Sequence, residues 1–281
     1  MVVGAHSDDV EFLAGGIFAR LAGEGARGLY VVAVSGPWIN PPLLYKTKTT
    51  AEAINIRRKE AGNAANMLGA ARMEFLNAHT SNLYKKRIDV KNRLNYPKFK
   101  SHQQTINELQ DVVFDGNIPF NYAVHHKEFL DKVEALIREW SPEIIISNNA
   151  GDGHSDHNAV AFMIGSILRK TGLHKKITFY QGHPGSAHPM QAYCPTVFWE
   201  LSEEHIKVWQ KALDCFPSQF PGHELDNYAG KFAGAYGKIC GVKYAQPFTE
   251  SIFLNLMDKY KNTGKFVKAE LANRKFKVIR L

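Results

Sequence analysis

Short apolar runs alternate along the chain with longer stretches whose apolar residues recur every three or four positions. "MVVGA" (1–5) reads as a buried strand, and "FLAGGIFARLAGEG" (12–25) follows with Phe12, Ile17, Phe18 and Leu21 at helical spacing. "LYVVAV" (29–34) reads as a second buried strand. Residues 51–68 read as a helix that stops at Gly69, with Ile54, Ala61, Ala65 and Leu68 on one face. "MEFL" (73–76) predicts a short third strand, and "KEFLDKVEALIREW" (127–140) a strongly amphipathic helix. "PEIIIS" (142–147) predicts another buried strand and "HNAVAFMIGSILRK" (157–170) another helix. "ITFYQ" (177–181) and "TVFWEL" (196–201) add two strands, and "SEEHIKVWQKALDCF" (202–216) a helix with Ser202 as N-cap.

Strands that alternate with helices predict an α/β fold with a mostly parallel sheet. The strands are continuously apolar, as expected where both faces of a sheet are covered. Ligand sites in such folds form at the carboxyl ends of strands. Two polar turns stand at such ends. The first, in "VVGAHSDDVEFLAGG" (2–16), holds His6, Asp8 and Asp9. The second, "SNNAGDGHSDHNAV" (147–160), holds Asp152, His154, Asp156 and His157.

Two adjacent aspartates repel each other unless a cation, hydrogen bonds or solvent compensates. In a parallel sheet the two turns converge, so His6 and Asp9 meet a histidine of the second turn around one metal ion. Two imidazoles and a carboxylate suit zinc with open positions left for water and substrate. The same set suits non-haem iron(II). Asp8 then lies beside the metal, where a general base is useful. The bland alternatives are a helix cap at Asp9 and solvated histidines in the second turn.

Composition adds bounds. The chain has 281 residues, 44% hydrophobic and 22% charged, enough apolar material for a sizeable core, and it is read as one domain over 1–281. Cys194, Cys215 and Cys240 are odd in number and form no CxxC, which argues against a disulfide framework and fits a reducing cytoplasm. No apolar stretch is long enough to span a bilayer, and no basic leader precedes the first strand. The net charge of +8 is compatible with an anionic substrate. A basic insertion at about 77–124 breaks the rhythm, with Lys85, Lys86, Arg87, Lys91, Arg93, Lys98 and Lys100 among Tyr84, Tyr96 and Phe99. It reads as a solvated surface, as a rim for an anionic group, or, less favoured, as a nucleic-acid grip. The oligomeric state stays open, a homo-oligomer included.

"AHSDDVEFLAGG" (5–16) resembles the AHPDDxE…GG signature of the LmbE-like, or PIG-L, N-deacetylases, and "GHSDHNAV" (153–160) resembles that family's HPDH signature. "RRKEAGNAANMLGA" (57–70) is similar to the family's RxxE…A…LG helix, and the stretch 197–220 to its strand, helix and SQ segment, with Ser218 and Gln219. Ser7 and Ser155 stand where the family has proline. The resemblance implies a Rossmann-like three-layer fold with the site at the carboxyl strand ends, and one zinc ion held by His6, Asp9 and His157. It implies Asp8 as general base and His154 as the group that stabilises the oxyanion or protonates the leaving amine. Asp156 is implied as the partner that orients His154. The spelling "DDVE" looks most like the branch that deacetylates N-acetylglucosaminyl malate in the bacillithiol pathway. The substrate implied is an amino-sugar conjugate.

Two substrate-binding candidates complete the set. Arg57 is read either as a contact to a substrate hydroxyl or anion, or as a helix-surface arginine paired with Glu60. His183, after "ITFYQ", is read as lining the pocket or as a loop histidine. Trp38 is a candidate stacking wall for a sugar, and Asn77, His79 and Asn82 stand where the family often has a sugar-binding aspartate. The rival functions are an iron(II) oxygenase with the same ligands, a nucleic-acid-binding module and a catalytically silent binder.

Overall fold

The computed structural model describes residues 1–34, 50–78, 127–184, 193–222, 225–250 and 278–280. Among these, eight strands form one sheet: β1 (Val2–Gly4), β2 (Gly28–Val34), β3 (Ala70–Ala78), β4 (Ile144–Ser147), β5 (Thr178–Gln181), β6 (Val197–Glu200), β7 (Ala245–Glu250) and β8 (Val278–Arg280). Their spatial order is β3-β2-β1-β4-β5-β7-β6-β8. The first five strands in that order run parallel, and β7, β6 and β8 continue antiparallel. The helices are α1 (Asp9–Gly23), α2 (Thr50–Met67), α3 (Lys127–Trp140), α4 (Ser155–Thr171), α5 (Glu203–Leu213) and α6 (Tyr228–Cys240).

Alternation along the strands splits the core into two layers. Val3, Val31, Ala33 and Ile145 face Val133, Ile137, Val160 and Ile164 of α3 and α4. Val2, Tyr30, Val32 and Ile146 face Leu13, Ile17, Ala61 and Ala65 of α1 and α2, with Ala212 of α5. Each neighbour along a strand points to the opposite face, so uninterrupted apolar strands need helices on both sides. Burying one such side chain is worth about 1.5–3 kcal/mol. A third cluster, with Leu201, Trp209, Ala229 and Ala233, joins α5 to α6.

Close approach of α1 to α5 depends on Gly15. A Cβ on Gly15 would lie 2.3 Å from the Trp209 ring, which is fully buried and donates its indole N–H to the Glu11 carbonyl at 2.7 Å. The Ser202 N-cap of α5 is as expected, and His205 closes a reciprocal capping box with it. Gly69 ends α2 at φ 76°.

Two elements escape the hydrophobic pattern. Helix α6 carries Gly230, Gly234 and Gly237, which weaken a helix signal, and its aromatic stripe is only partly buried. Strand β7 contains Pro247, which argues against an interior strand. The sheet accommodates it because β5 pairs with β7 only at Thr249 and Glu250, beyond the proline. Among the described residues, no helix is long and apolar enough to cross a membrane.

Candidate active site

The sheet places the site. From β1 the chain winds outward through β2 and β3, then returns to β4 on the other flank of β1. The strand order therefore reverses between β1 and β4, and a crevice opens at their carboxyl ends. The registers Val2↔Ile146 and Val3↔Ser147 bring the two polar turns side by side.

Local geometry then aims the side chains. Strand β1 ends at Gly4, where a Cβ would lie 2.8 Å from Asp9 Cβ, so the glycine lets Asp9 fold back over the strand end. The His6 backbone N–H donates to Asp9 Oδ2 at 2.7 Å, which closes the turn. Asn148, 1% exposed, stitches the two turns together. Its Oδ1 accepts from the Ala5 N–H at 2.8 Å, and its Nδ2 donates to Asp9 Oδ2 at 3.2 Å. Asn148 has only a weak sequence signal, a second polar residue directly after the apolar run Ile144–Ile146.

Three donor atoms converge. His6 Nδ1 lies 3.4 Å from Asp9 Oδ2, His157 Nε2 lies 3.3 Å from the same oxygen, and the two nitrogens are 3.3 Å apart. A tetrahedral ion with bonds of about 2.0–2.1 Å holds its ligand atoms roughly 3.3–3.4 Å apart. The triangle fits that centre. A looser set, His6 with His154 and His157, has ligand atoms within 4.8 Å of one another. The tighter triangle matches the bond lengths better, and it contains the carboxylate that offsets the charge of a cation.

The outer atoms of both imidazoles are held as metal-ligand histidines usually are. His6 Nε2 meets Asp156 Oδ2 at 3.1 Å, and His157 Nδ1 meets Asp152 Oδ2 at 2.8 Å. Both carboxylates are fully buried. Asp152, present in the second turn but given no role from the sequence, therefore orients a candidate ligand. Asp156 contacts both histidines of interest. Its carboxylate is turned onto His6, and its contact to His154 runs from its backbone N–H to His154 Nδ1 at 3.2 Å. The reason is helical geometry: His154 caps α4, and a cap side chain accepts from the second residue's N–H.

The electrostatics follow from this packing. Burial opposes charge on His6, but Asp156 and Asp9 outweigh it and push the imidazole up to about 9. Burial likewise opposes charge on His157, which Asp9 and Asp152 push up to about 10. Burial raises Asp9, yet the facing His157 and His6 hold it well below the usual carboxylate range. His154 goes the other way, down to about 4, through burial and the positive charge of His6 and His157. The two buried carboxylates and Asp9 thus favour the protonated forms of His6 and His157.

Arg57 is not a helix-surface arginine. It is 4% exposed, with Nη2 2.9 Å from Asp8 Oδ1 and Nη1 3.4 Å from Glu60 Oε2. The pairing with Glu60 is present, and the same guanidinium also clamps the aspartate that neighbours Asp9. Asp8 itself precedes α1 and is 13% exposed at its side chain. His183 stands just beyond β5, whose end is tied to the second turn by Asn149 Nδ2 donating to the Gly182 carbonyl at 3.2 Å. Its ring packs edge-on to Tyr193 and Phe232, and burial lowers its pKa. Asn77 closes β3 in the left-handed region at φ 60° and accepts from Arg58 at 2.5 Å. Trp38, His79, Asn82 and the basic insertion from 79 onward lie outside the described residues.

A sheet of this topology, with a His/Asp crevice at the switch point, is a Rossmann-like α/β architecture. The chain belongs to the PIG-L family: the family model, described as GlcNAc-PI de-N-acetylase, matches residues 1–168. No curated protein matches the sequence significantly. Among solved structures it is similar to N,N'-diacetylchitobiose deacetylase from Pyrococcus horikoshii, with a TM-score of 0.63 and 17% identity over 95% of this chain and 86% of that one. It is similar to the zinc-inhibited form of teicoplanin deacetylase, at 0.59 and 17% over 89% and 97%. It is also similar to a 4-carboxy-2-hydroxymuconate hydratase from Pseudomonas putida, at 0.57 and 20% over 89% and 94%. At these identities the likeness is one of fold.

Proposed function

We propose that the protein is a metal-dependent N-deacetylase that hydrolyses the acetamide of an N-acetylglucosamine-type sugar conjugate. The carrying observation is the His6–Asp9–His157 triangle with edges of 3.3–3.4 Å, flanked by an aspartate that an arginine holds in place. Two imidazoles and a carboxylate with open positions suit zinc, and they suit iron(II) as well.

A zinc ion in this triangle supplies Lewis acidity that makes water a nucleophile near neutral pH. Asp8 accepts the proton of the attacking water. His154 Nδ1 is engaged as an acceptor by the Asp156 N–H, which puts the ring proton on Nε2. That N–H donates to the acetyl oxygen as negative charge gathers there. His154 thus acts as a hydrogen-bond donor, and Asp8 carries the proton onward to the amine nitrogen. The new carbon–oxygen bond completes acetate as the carbon–nitrogen bond breaks.

The family description and two deacetylase neighbours support this reaction class; the third neighbour is described as a hydratase. The three free cysteines fit a reducing cytoplasm. The net charge of +8 favours anionic conjugates.

The test is acetate release from neutral, phosphorylated, malyl and oligosaccharide N-acetylglucosamine conjugates, with metal analysis of the same sample. Zinc with acetate from any member supports the reading. Zinc without acetate, or oxygen consumption by an iron-loaded sample, rejects it. Asp8→Ala is expected to lower turnover by roughly 10²–10⁴-fold with zinc retained. Wild-type turnover in that variant would remove Asp8 as the base.

A further inference from the structure

A line of buried polar contacts runs from Asp8 into the C-terminal third of the chain. The Arg57 guanidinium bridges Asp8 Oδ1 at 2.9 Å and Glu60 Oε2 at 3.4 Å. Glu60 also takes both donors of Ser218: the backbone N–H on Oε1 at 2.8 Å and the hydroxyl on Oε2 at 2.5 Å. Glu60 and Ser218 are 6% and 3% exposed. The guanidinium lies over the Phe216 ring at 5.4 Å. Arginine has many rotamers, so a guanidinium gripped from one side alone swings. Gripped between two carboxylates and a ring, it is fixed. Ser218 lies in the turn after α5, outside the family-matched residues 1–168.

We infer that Glu60 and Ser218 are positioning residues: they lock Arg57, and Arg57 aims the Asp8 carboxylate at the reacting centre. The turn at 217–220 thereby completes a site whose chemistry comes from residues 6–157. The inference rests on Asp8 being the base proposed above. Among the contacts described for His6, Asp9 and His157, none involves Glu60 or Ser218, so the pair acts through Arg57 and not through the metal ligands. A misplacement of about 1 Å at a catalytic group costs up to about 100-fold in rate.

The experiment compares wild type, Ser218→Ala and Glu60→Gln as zinc-loaded full-length protein. The first readout is nitrogen NMR of the Arg57 guanidinium, assigned by its loss in Arg57→Lys. Wild type should show hindered rotation, and Ser218→Ala should show averaged signals. The second is kinetics: kcat should fall about 10-fold or more in Ser218→Ala with KM and zinc content unchanged. Placed on Asp8→Asn, the same substitution should have no further effect on kcat, because residues that act as one unit are not additive.

If Glu60 and Ser218 only staple α2 to the turn, thermal stability falls while kcat per zinc-loaded molecule and guanidinium rotation stay at wild-type values; that result overturns the inference. Inactive Asp8→Asn beside fully active Ser218→Ala overturns it and leaves the base reading standing. Active Asp8→Asn overturns both. If no conjugate is turned over by wild type, the NMR arm decides: hindered rotation retained in Ser218→Ala overturns the lock. Should Glu60→Gln fail to fold, the milder Ser218→Ala carries each readout.

Discussion

At the scale of single residues the crevice gathers two histidines whose carboxylate partners favour protonation, and the proposed metal would compete with those protons. His6 at about 9 and His157 at about 10 are both protonated at pH 7 in the metal-free protein. Zinc uptake at that pH should therefore release about two protons. Calorimetry in buffers of different ionisation enthalpy measures this number, and release near zero would contradict the geometry. The same shifts set a stability profile. Their contribution is fully present below the unfolded-state histidine value of about 6.5 and is lost as pH rises through about 9 and 10. The melting temperature of the metal-free protein should thus fall between about pH 6.5 and 10, while the stabilisation added by saturating zinc grows over the same range. Parallel melts with and without zinc test the sign.

At the scale of elements two positions carry separable expectations. Ser155 is the first residue of α4, and the preceding His154 sits at φ −93° and ψ 124°. That backbone is the one a residue before proline prefers, and proline suits a first helical position. Ser155→Pro should raise stability by about 0.4–1 kcal/mol with turnover little changed. Denaturant melts and acetate release check both halves. Gly15 is the opposite case. Alanine there gains about 1 kcal/mol in helix propensity, but its methyl meets the buried Trp209 ring at 2.3 Å. Overpacking costs about 1–3 kcal/mol or more, so Gly15→Ala should lower the urea midpoint.

At the scale of the whole molecule the family-matched residues 1–168 do not include the whole core. Residues 1–168 include β1 to β4 but leave out β5, β6, β7 and α5. Removing them bares the α1 face that Trp209 covers and strips Trp199, Phe198 and Phe248 from the core. A 1–168 fragment is expected to show no cooperative unfolding transition by circular dichroism. A sharp transition would overturn the reading of 1–281 as one domain.

Local pattern was enough for the parallel half of this protein. Period-two and period-3.6 patterns are properties of neighbouring residues, so β1, β2, β4, α3 and α4 are legible from apolar spacing alone. The two His/Asp turns are legible for the same reason, since each is compact in sequence and stands at a strand end. Strand β7 and helix α6 were not, because Pro247 and three glycines contradict local propensity and only neighbouring elements compensate for them. The partners of the site residues were not legible either. That Asp156 meets the His6 ring is a contact between turns 150 positions apart, set by the register of β1 against β4. That Arg57 is buried between Asp8 and Glu60 likewise depends on how α2 packs beside the first turn. Sequence determines which chemical groups a strand end presents, because that depends on near neighbours. Tertiary structure decides how they pair, because pairing depends on distances that only the folded sheet defines.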